Sequence, residues 1–229
     1  KPYRVSNVTE TYKPLYDVGE GYAYPSFGNN GSQDFQAITP SVYYQGPDAI
    51  FRARYANVSN ESHQITIKLN SASTLYTQQR TDFQLNNVQV NVPVAQLNNG
   101  MNLINFNDAG LGISSDKNKV GAVSIEYPRD FNFSAYDRFY FEVDASAASK
   151  YLEINFNDQN TQPLLYDLTN GLIYRSTQLP GSSLHKFKLN PSGVKRQMYI
   201  RVDNSATYTQ VTQLRPVNFV DYKALVNQG

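Results

Sequence analysis

The sequence predicts an all-β protein made of two tandem antiparallel β-sandwiches. Apolar residues recur at every second position in almost every apolar segment, which places one face of each strand in a core and the other in water. Tyr and Phe are abundant, with 18 and 12 among 229 residues, and these residue types favour pleated, half-buried surfaces. Clusters of Asn, Gly, Pro and Ser punctuate the segments, and no sustained helical period is present.

The individual strands follow from this alternation in chain order. The predicted strands are residues 51–55, 65–69, 88–94, 103–106, 122–127, 139–143, 152–156, 184–189 and 198–202. They are too many for one small sandwich, and the turn formed by Pro128, Arg129 and Asp130 offers a break between two. We therefore predict one sandwich over residues 1–130, a smaller one over 131–215 and a connector over 216–229.

The charge balance excludes several classes of partner. Twenty basic and 19 acidic residues leave a formal charge of +1, without a long run of either sign, so the electrostatic footprint of a nucleic-acid binder is missing. No segment approaches the roughly 20 apolar residues of a membrane-spanning helix. We predict neither nucleic acid as a partner nor a membrane span.

The chain is also poor in the residues that most often carry chemistry. It has no cysteine, and its two histidines, His63 and His185, lie far apart. His63 shares a strand face with Ile65, and His185 shares one with Phe187, which predicts buried structural imidazoles rather than catalytic groups or metal ligands. We predict a non-catalytic chain without cofactor or metal, although a hydrolase that uses a pair of the scattered carboxylates stays open as an alternative.

One short repetition suggests a calcium hypothesis. Residues 104–108 and 154–158 both have the sequence Ile-Asn-Phe-Asn-Asp. Asn and Asp oxygens suit Ca²⁺, but neither segment has the spacing of an established calcium loop. The favoured interpretation is two core strands, each followed by a turn in which Asn and Asp tolerate unusual backbone angles.

The first 60 or so residues are unusually aromatic, which raises the question of a ligand site. Exposed tyrosines could stack on sugars or on peptide side chains, whereas buried ones would cover a sandwich edge. The edge-covering interpretation is the favoured one. The candidate ligand contacts are Tyr22, Tyr24, Tyr43 and Tyr44.

Several segments resemble the non-catalytic region that precedes the catalytic domain in gingipain-like cysteine peptidases, including the sortase of the Bacteroidetes type IX secretion system. The more distinctive matches are the corner Glu126-Tyr-Pro-Arg and the element Tyr166-Asp-Leu-Thr-Asn. The others are residues 51–56, 65–70, 88–94, 97–104, 123–131 and 219–222. The resemblance covers most of the chain, from about Tyr12 to the end.

The resemblance implies a jelly roll of the galactose-binding-like kind, followed by a smaller immunoglobulin-like sandwich. It implies an accessory or scaffold role in a secreted or cell-surface, outer-membrane-associated peptidase, whose catalytic Cys and His lie in a downstream domain. That domain would be the main partner, and a protein or glycan ligand stays possible as a second one. The alternative from another class is an autonomous carbohydrate-binding module of a secreted bacterial protein.

Overall fold

The computed structural model describes residues 23–156, 162–178, 182–202 and 213. The chain divides into two compact units, Lys1–Asp130 and Phe131–Gly229. The described residues form antiparallel sheets and one short 3-10 turn, Val94–Gln96, and contain no α-helix, so the all-β sandwich prediction is confirmed. The predicted connector, 216–229, lies outside the described residues.

The first unit is a sandwich of a four-stranded and a three-stranded sheet. The order in the larger sheet is β1-β6-β3-β4, and the order in the smaller one is β5-β2-β7. Successive strands mostly alternate between the two sheets, as in a jelly roll. The strands are β1 (Ser32–Thr39), β2 (Ala49–Asn57), β3 (Ser62–Leu69), β4 (Ser73–Thr81), β5 (Gln84–Val92), β6 (Gly100–Asp108) and β7 (Asn118–Glu126).

The segment before β1 occupies the place of an eighth strand at the outer edge of β7. Phe27 and Asn118 exchange two backbone hydrogen bonds of 3.0 and 2.7 Å, and the Tyr24 amide donates to the Val120 carbonyl at 2.9 Å. An eight-stranded jelly roll pairs its first strand at this position, next to the last strand in chain order. The strand order of the first unit is therefore that of a jelly roll.

The core of the first unit lies between its two sheets and follows the predicted alternation. On β3, Ile65, Ile67 and Leu69 are buried, whereas Thr66 and Lys68 between them are partly exposed. The rings of Phe35, Tyr55 and Phe106 meet edge to face in the same core. The remaining buried members come mainly from β2, β5 and β6.

The second unit is a smaller sandwich of one four-stranded and one three-stranded sheet. The orders are β11-β10-β14-β8 and β12-β13-β9. Its strands are β8 (Arg138–Val143), β9 (Lys150–Asn155), β10 (Leu164–Asp167), β11 (Leu172–Arg175), β12 (Thr177–Gln178), β13 (Leu184–Leu189) and β14 (Arg196–Arg201). Phe133, Phe139 and Phe141 cluster in its core with Ile154 and Phe187.

The four-stranded sheet of the second unit joins its first and last named strands, since β8 pairs with β14, whereas β9 lies in the other sheet. Ahead of β8, the Phe133 amide donates to the Asn155 carbonyl of β9 at 2.7 Å. Alternation in the sequence shows which residues face inward but does not show which strands pair, so the immunoglobulin-like detail stays a prediction.

Candidate functional site

Tyr24 is half covered by the first sandwich. Its ring meets Phe35 edge to face, with centroids 4.7 Å apart, and 49% of the residue is exposed. Tyr22 lies outside the described residues. One side of the Tyr24 ring therefore covers the edge of the sandwich, and the other side is exposed to water.

A groove of about 280 Å³ opens beside Tyr24, between β1 and β7. Its walls are mostly apolar or small, which fits the uncovered side of a sandwich edge better than a polar ligand pocket. The lining residues are Tyr24, Phe35, Gln36, Ala37, Ile104, Gly121, Ala122, Val123, Ser124 and Ile125.

Tyr43 and Tyr44 lie in the connection between β1 and β2. The Tyr43 amide donates to the Pro128 carbonyl at 3.0 Å, and the Tyr44 hydroxyl donates to the Leu97 carbonyl at 3.2 Å. Val120, which accepts the hydrogen bond from the Tyr24 amide, lies near the start of β7, whereas Pro128 follows the end of that strand. The chain between them spans roughly 25 Å when extended. The structure thus places these two tyrosines away from Tyr24, and a ligand contact at any of them stays a prediction.

A depression of about 260 Å³ lies on the outer face of the smaller sheet, around Arg52. Arg52 donates from Nη1 to Glu126 Oε2 at 2.9 Å and from Nε to Gln89 Oε1 at 3.1 Å. Glu126 thus matches the charge of Arg52, and Arg54 is a second basic residue that lines the depression.

The first unit also contains a buried polar cluster centred on His63 and Asp116. His63 Nδ1 is hydrogen bonded to Asp116 Oδ1, and His63 Nε2 lies 3.1 Å from the Ser59 carbonyl. A carbonyl oxygen only accepts, so Nε2 carries hydrogen, and Nδ1 of a neutral imidazole then accepts the proton of Asp116. In this arrangement Asp116 keeps its proton, and both side chains are neutral.

Asp108 and Asn118 complete this cluster. Asn118 Nδ2 donates to Asp108 Oδ2 at 2.9 Å and to Asp116 Oδ1 at 3.2 Å, and the Gly110 amide donates to Asp108 Oδ1 at 2.8 Å. Both carboxyls are almost fully buried. Two neighbouring buried carboxyl groups cannot both ionise cheaply, so one of them keeps its proton.

The ionisation of the cluster follows from this burial. Burial, together with the hydrogen bond and the charge of Asp108, raises the pKa of Asp116 to about 8. Burial lowers the pKa of His63, against a smaller opposing effect of its bond to Ser59. Both pKa shifts favour the neutral pair. Because His63 and Asp116 are buried, the pair contributes to the structure and cannot reach a substrate.

The described part of the chain offers no group of three or more His, Cys, Asp or Glu placed to hold a metal ion. In the first Ile-Asn-Phe-Asn-Asp segment, both oxygens of Asp108 accept from protein donors, and Asn105 donates to Asp34 at 2.6 Å. In the second, Ile154 and Phe156 are buried, and Asn157 and Asp158 lie outside the described residues. The calcium hypothesis therefore gains no support from the segment that can be placed.

His185 and Arg196 are buried polar residues of the second unit. His185 shares the inward face of β13 with Phe187, as predicted, and its Nδ1 lies 3.3 Å from Ser176 Oγ. Arg196 is fully buried, donates to the Asn190 carbonyl at 2.9 Å and lies 4.0 Å from Asp167. The alternation did not identify Arg196, because a charged residue next to an apolar run ordinarily indicates the solvent side.

An exposed aromatic row crosses the outer face of the four-stranded sheet of the second unit. Tyr166 pairs directly with Tyr199, and Tyr199 pairs directly with Tyr140. Ile173 pairs with Tyr166 on the other side, so the row reaches all four strands. Tyr140 is 66% exposed and Ile173 is 59% exposed.

The alternation in the sequence did not reveal this aromatic row. Tyr140 occupies a water-facing position between the inward residues Phe139 and Phe141, but a single outward aromatic residue is common and indicates no site by itself. The register that joins it to Tyr199 and Tyr166 could not be known before the strands were paired.

Comparisons with known proteins show similarity in fold and not in sequence. No family model matches the sequence, and no curated protein matches it either. The chain is similar to the crystal structure of dimeric latent PorU from Porphyromonas gingivalis, with a TM-score of 0.61 and 10% identity. The likeness covers 83% of this chain and 19% of that chain, so this chain spans about a fifth of PorU.

Proposed function

We propose that this chain is a non-catalytic accessory region of a larger secreted or cell-surface protein related to gingipain-like peptidases. The observation that carries the proposal is the extent of the fold likeness, which takes in most of this chain but a small part of PorU. A region of that kind holds a catalytic domain in position or presents it to partners.

The polar residues of the chain support an accessory role. His63 and His185 are fully buried, and the described hydrogen bonds of His63 end on Asp116 and Ser59. A catalytic base must reach a proton of the substrate, which a buried, internally bonded imidazole cannot do. The absence of cysteine removes the nucleophile of a cysteine peptidase from this chain.

A surface location is part of the same proposal. Among the residues that the structure describes, no helix is long and apolar enough to cross a membrane.

The test is the parent protein itself. We expect the gene to encode, after Gly229, a domain with a Cys and His pair that reacts with a thiol-alkylating reagent. Deletion of residues 1–215 from the full-length protein should leave that cysteine reactive but reduce the amount of peptidase on the cell surface. A following glycoside hydrolase domain, or no further domain, would overturn the proposal and favour the carbohydrate-binding alternative.

A further inference from the structure

The aromatic row brings two tyrosine rings of the second unit into direct contact. Tyr140 on β8 and Tyr199 on β14 are cross-strand partners, and their rings are stacked with centroids 4.3 Å apart and planes 25° apart. Aromatic pairs in proteins ordinarily have centroids about 4.5–7 Å apart. The ring carbons of the two tyrosines therefore lie close to van der Waals contact, and no other side chain fits between them.

This pair is also open to reagents in solution. Tyr140 is 66% exposed, and Tyr199 is partly exposed. Two neighbouring cases differ from it. Tyr24 is half exposed, but its ring contacts Phe35 and not a second tyrosine. Tyr166 lies farther from Tyr199, with centroids 5.9 Å apart and planes tilted by 38°.

Two phenols in contact can be joined by oxidation. A one-electron oxidant removes an electron and the hydroxyl proton from each tyrosine, which leaves a radical shared between the oxygen and the ring carbons next to it. One such carbon of each ring then forms a carbon–carbon bond with the other. The hydrogen on each joined carbon moves to the oxygen, which restores both phenols. The pair thus loses two hydrogen atoms in all, and hydrogen peroxide takes them up as it is reduced to two molecules of water.

We propose that Tyr140 and Tyr199 are an oxidative cross-linking site, at which a haem peroxidase with hydrogen peroxide joins the two side chains as dityrosine. The sheet holds the rings together before oxidation, so coupling within the chain is favoured over coupling between chains. The chain has no cysteine and therefore cannot form a disulfide. This inference stands on the tyrosine pair itself and does not depend on the proposed accessory function.

The cross-link would connect the first and last named strands of the second unit. β8 and β14 are neighbours in the sheet, whereas β9 to β13 lie between them along the chain. A covalent link between residues distant in sequence restricts the unfolded chain, as a disulfide does. The link should therefore raise the melting temperature of the second unit.

The experiment treats the whole chain, at low concentration, with a plant haem peroxidase and hydrogen peroxide. The monomer is isolated by size exclusion and digested with trypsin, which cleaves after Lys and Arg. The tryptic peptides 139–150 and 197–201 contain Tyr140 and Tyr199 as their sole tyrosines. We expect mass spectrometry to find these two peptides joined, with two hydrogen atoms fewer than their sum, and the digest to show dityrosine fluorescence.

Conservative variants provide the controls. Tyr140→Phe and Tyr199→Phe keep a ring in the stack but remove the hydroxyl that the radical requires, so each should abolish the joined peptide. Tyr151 is 72% exposed but pairs with Lys188, so Tyr151→Phe should leave the yield unchanged. Oxidation should raise the melting temperature of the unchanged chain and not that of Tyr140→Phe. Thermal unfolding before oxidation verifies that every variant is folded.

Four results would overturn the proposal. The joined peptide is absent from the oxidised monomer, or it persists in Tyr140→Phe. The joined peptide occurs in covalent dimers alone, which would assign the coupling to collisions between chains. Alternatively, peptide 197–201 is joined mainly to peptide 151–175, which contains Tyr166, and the stacked pair is then not the site.

Discussion

Burial of Asp116 beside Asp108 keeps one of these carboxyls protonated at a pH at which an exposed aspartate is ionised. The pKa of Asp116 rises to about 8 in the folded chain, from an ordinary value of about 3.9. The folded state therefore binds a proton that the unfolded state has released, and stability falls as the pH rises towards 8. His63, whose pKa burial lowers, acts in the opposite direction, but only below its ordinary value of about 6.5.

The first prediction follows from these two signs. Between about pH 6.5 and about pH 8, the chain should lose up to about 1.4 kcal/mol of unfolding free energy for each pH unit through Asp116. Asp116→Asn removes this titration, while its amide still donates to His63. The unfolding free energy of the variant should therefore rise relative to that of the unchanged chain as the pH increases over that range. Urea unfolding at both pH values measures it, with Asp34→Asn on exposed β1 as the control. A difference between Asp116→Asn and the unchanged chain that does not vary with pH would contradict the prediction.

At the residue scale the sequence predicted the burial of both histidines but not the partners of His63. Period-two alternation placed His63 on the face of Ile65 and His185 on the face of Phe187, and both are buried. The partner of His63 is Asp116, 53 residues away in the chain, and no local pattern connects them. Long-range polar partners depend on strand pairing, which alternation does not encode.

Exposure and length explain which strands were missed. β3 and β6 are central strands with buried apolar residues, and their segments were recognised. β1 and β4 lie at the edges of their sheet and are largely exposed, so their sequences are mostly polar and lack a clean apolar alternation. The other missed strands, β10, β11 and β12, have four, four and two residues, too few to show an alternation.

The second prediction tests the inward face of β3. Ile67→Ala should lower the unfolding free energy by about 2–5 kcal/mol, because it removes a fully buried side chain and leaves a cavity. Thr66→Ala changes the neighbouring outward position, where the hydroxyl is hydrogen bonded to exposed Thr77, and should cost far less. Phe141→Ala should resemble Ile67→Ala in the second unit. Equal losses at Ile67 and Thr66 in chemical unfolding would show that the faces of this strand are misassigned.

The third prediction separates edge cover from sugar binding at Tyr24. Its half-buried ring contacts Phe35, so Tyr24→Ala should lower stability by roughly 1–2 kcal/mol through lost apolar burial at about 25 cal/mol per Å². Tyr43→Ala provides the comparison at the other tyrosine position. An array of bacterial and plant polysaccharides should yield no ligand that depends on Tyr24. Saturable sugar binding that Tyr24→Ala abolishes, without a change in melting temperature, would restore the carbohydrate-binding interpretation.

Over the whole molecule, composition and alternation were enough to predict two sandwiches but not their functions. The class follows from period-two segments and turn clusters, which any β-sandwich shares. The order of the second unit, with β8 beside β14, and the exposed aromatic row both depend on which strands become neighbours. The surfaces that could bind a partner form only when the strands pair, so the alternation in the sequence does not predict them.

The last prediction concerns the chemistry of the isolated chain. We expect no hydrolysis of a panel of peptide substrates under reducing conditions and no effect of a thiol-alkylating reagent, because the thiolate nucleophile of a cysteine peptidase requires a cysteine and the chain has none. The buried histidines provide no alternative route, since His63 is bonded to Asp116 and Ser59 inside the first unit. The matched measurement uses the full-length parent protein, in which alkylation should abolish peptide hydrolysis. Hydrolysis by the pure chain that survives alkylation and is lost on removal of a carboxylate would point instead to an acid-base hydrolase and would end the accessory proposal.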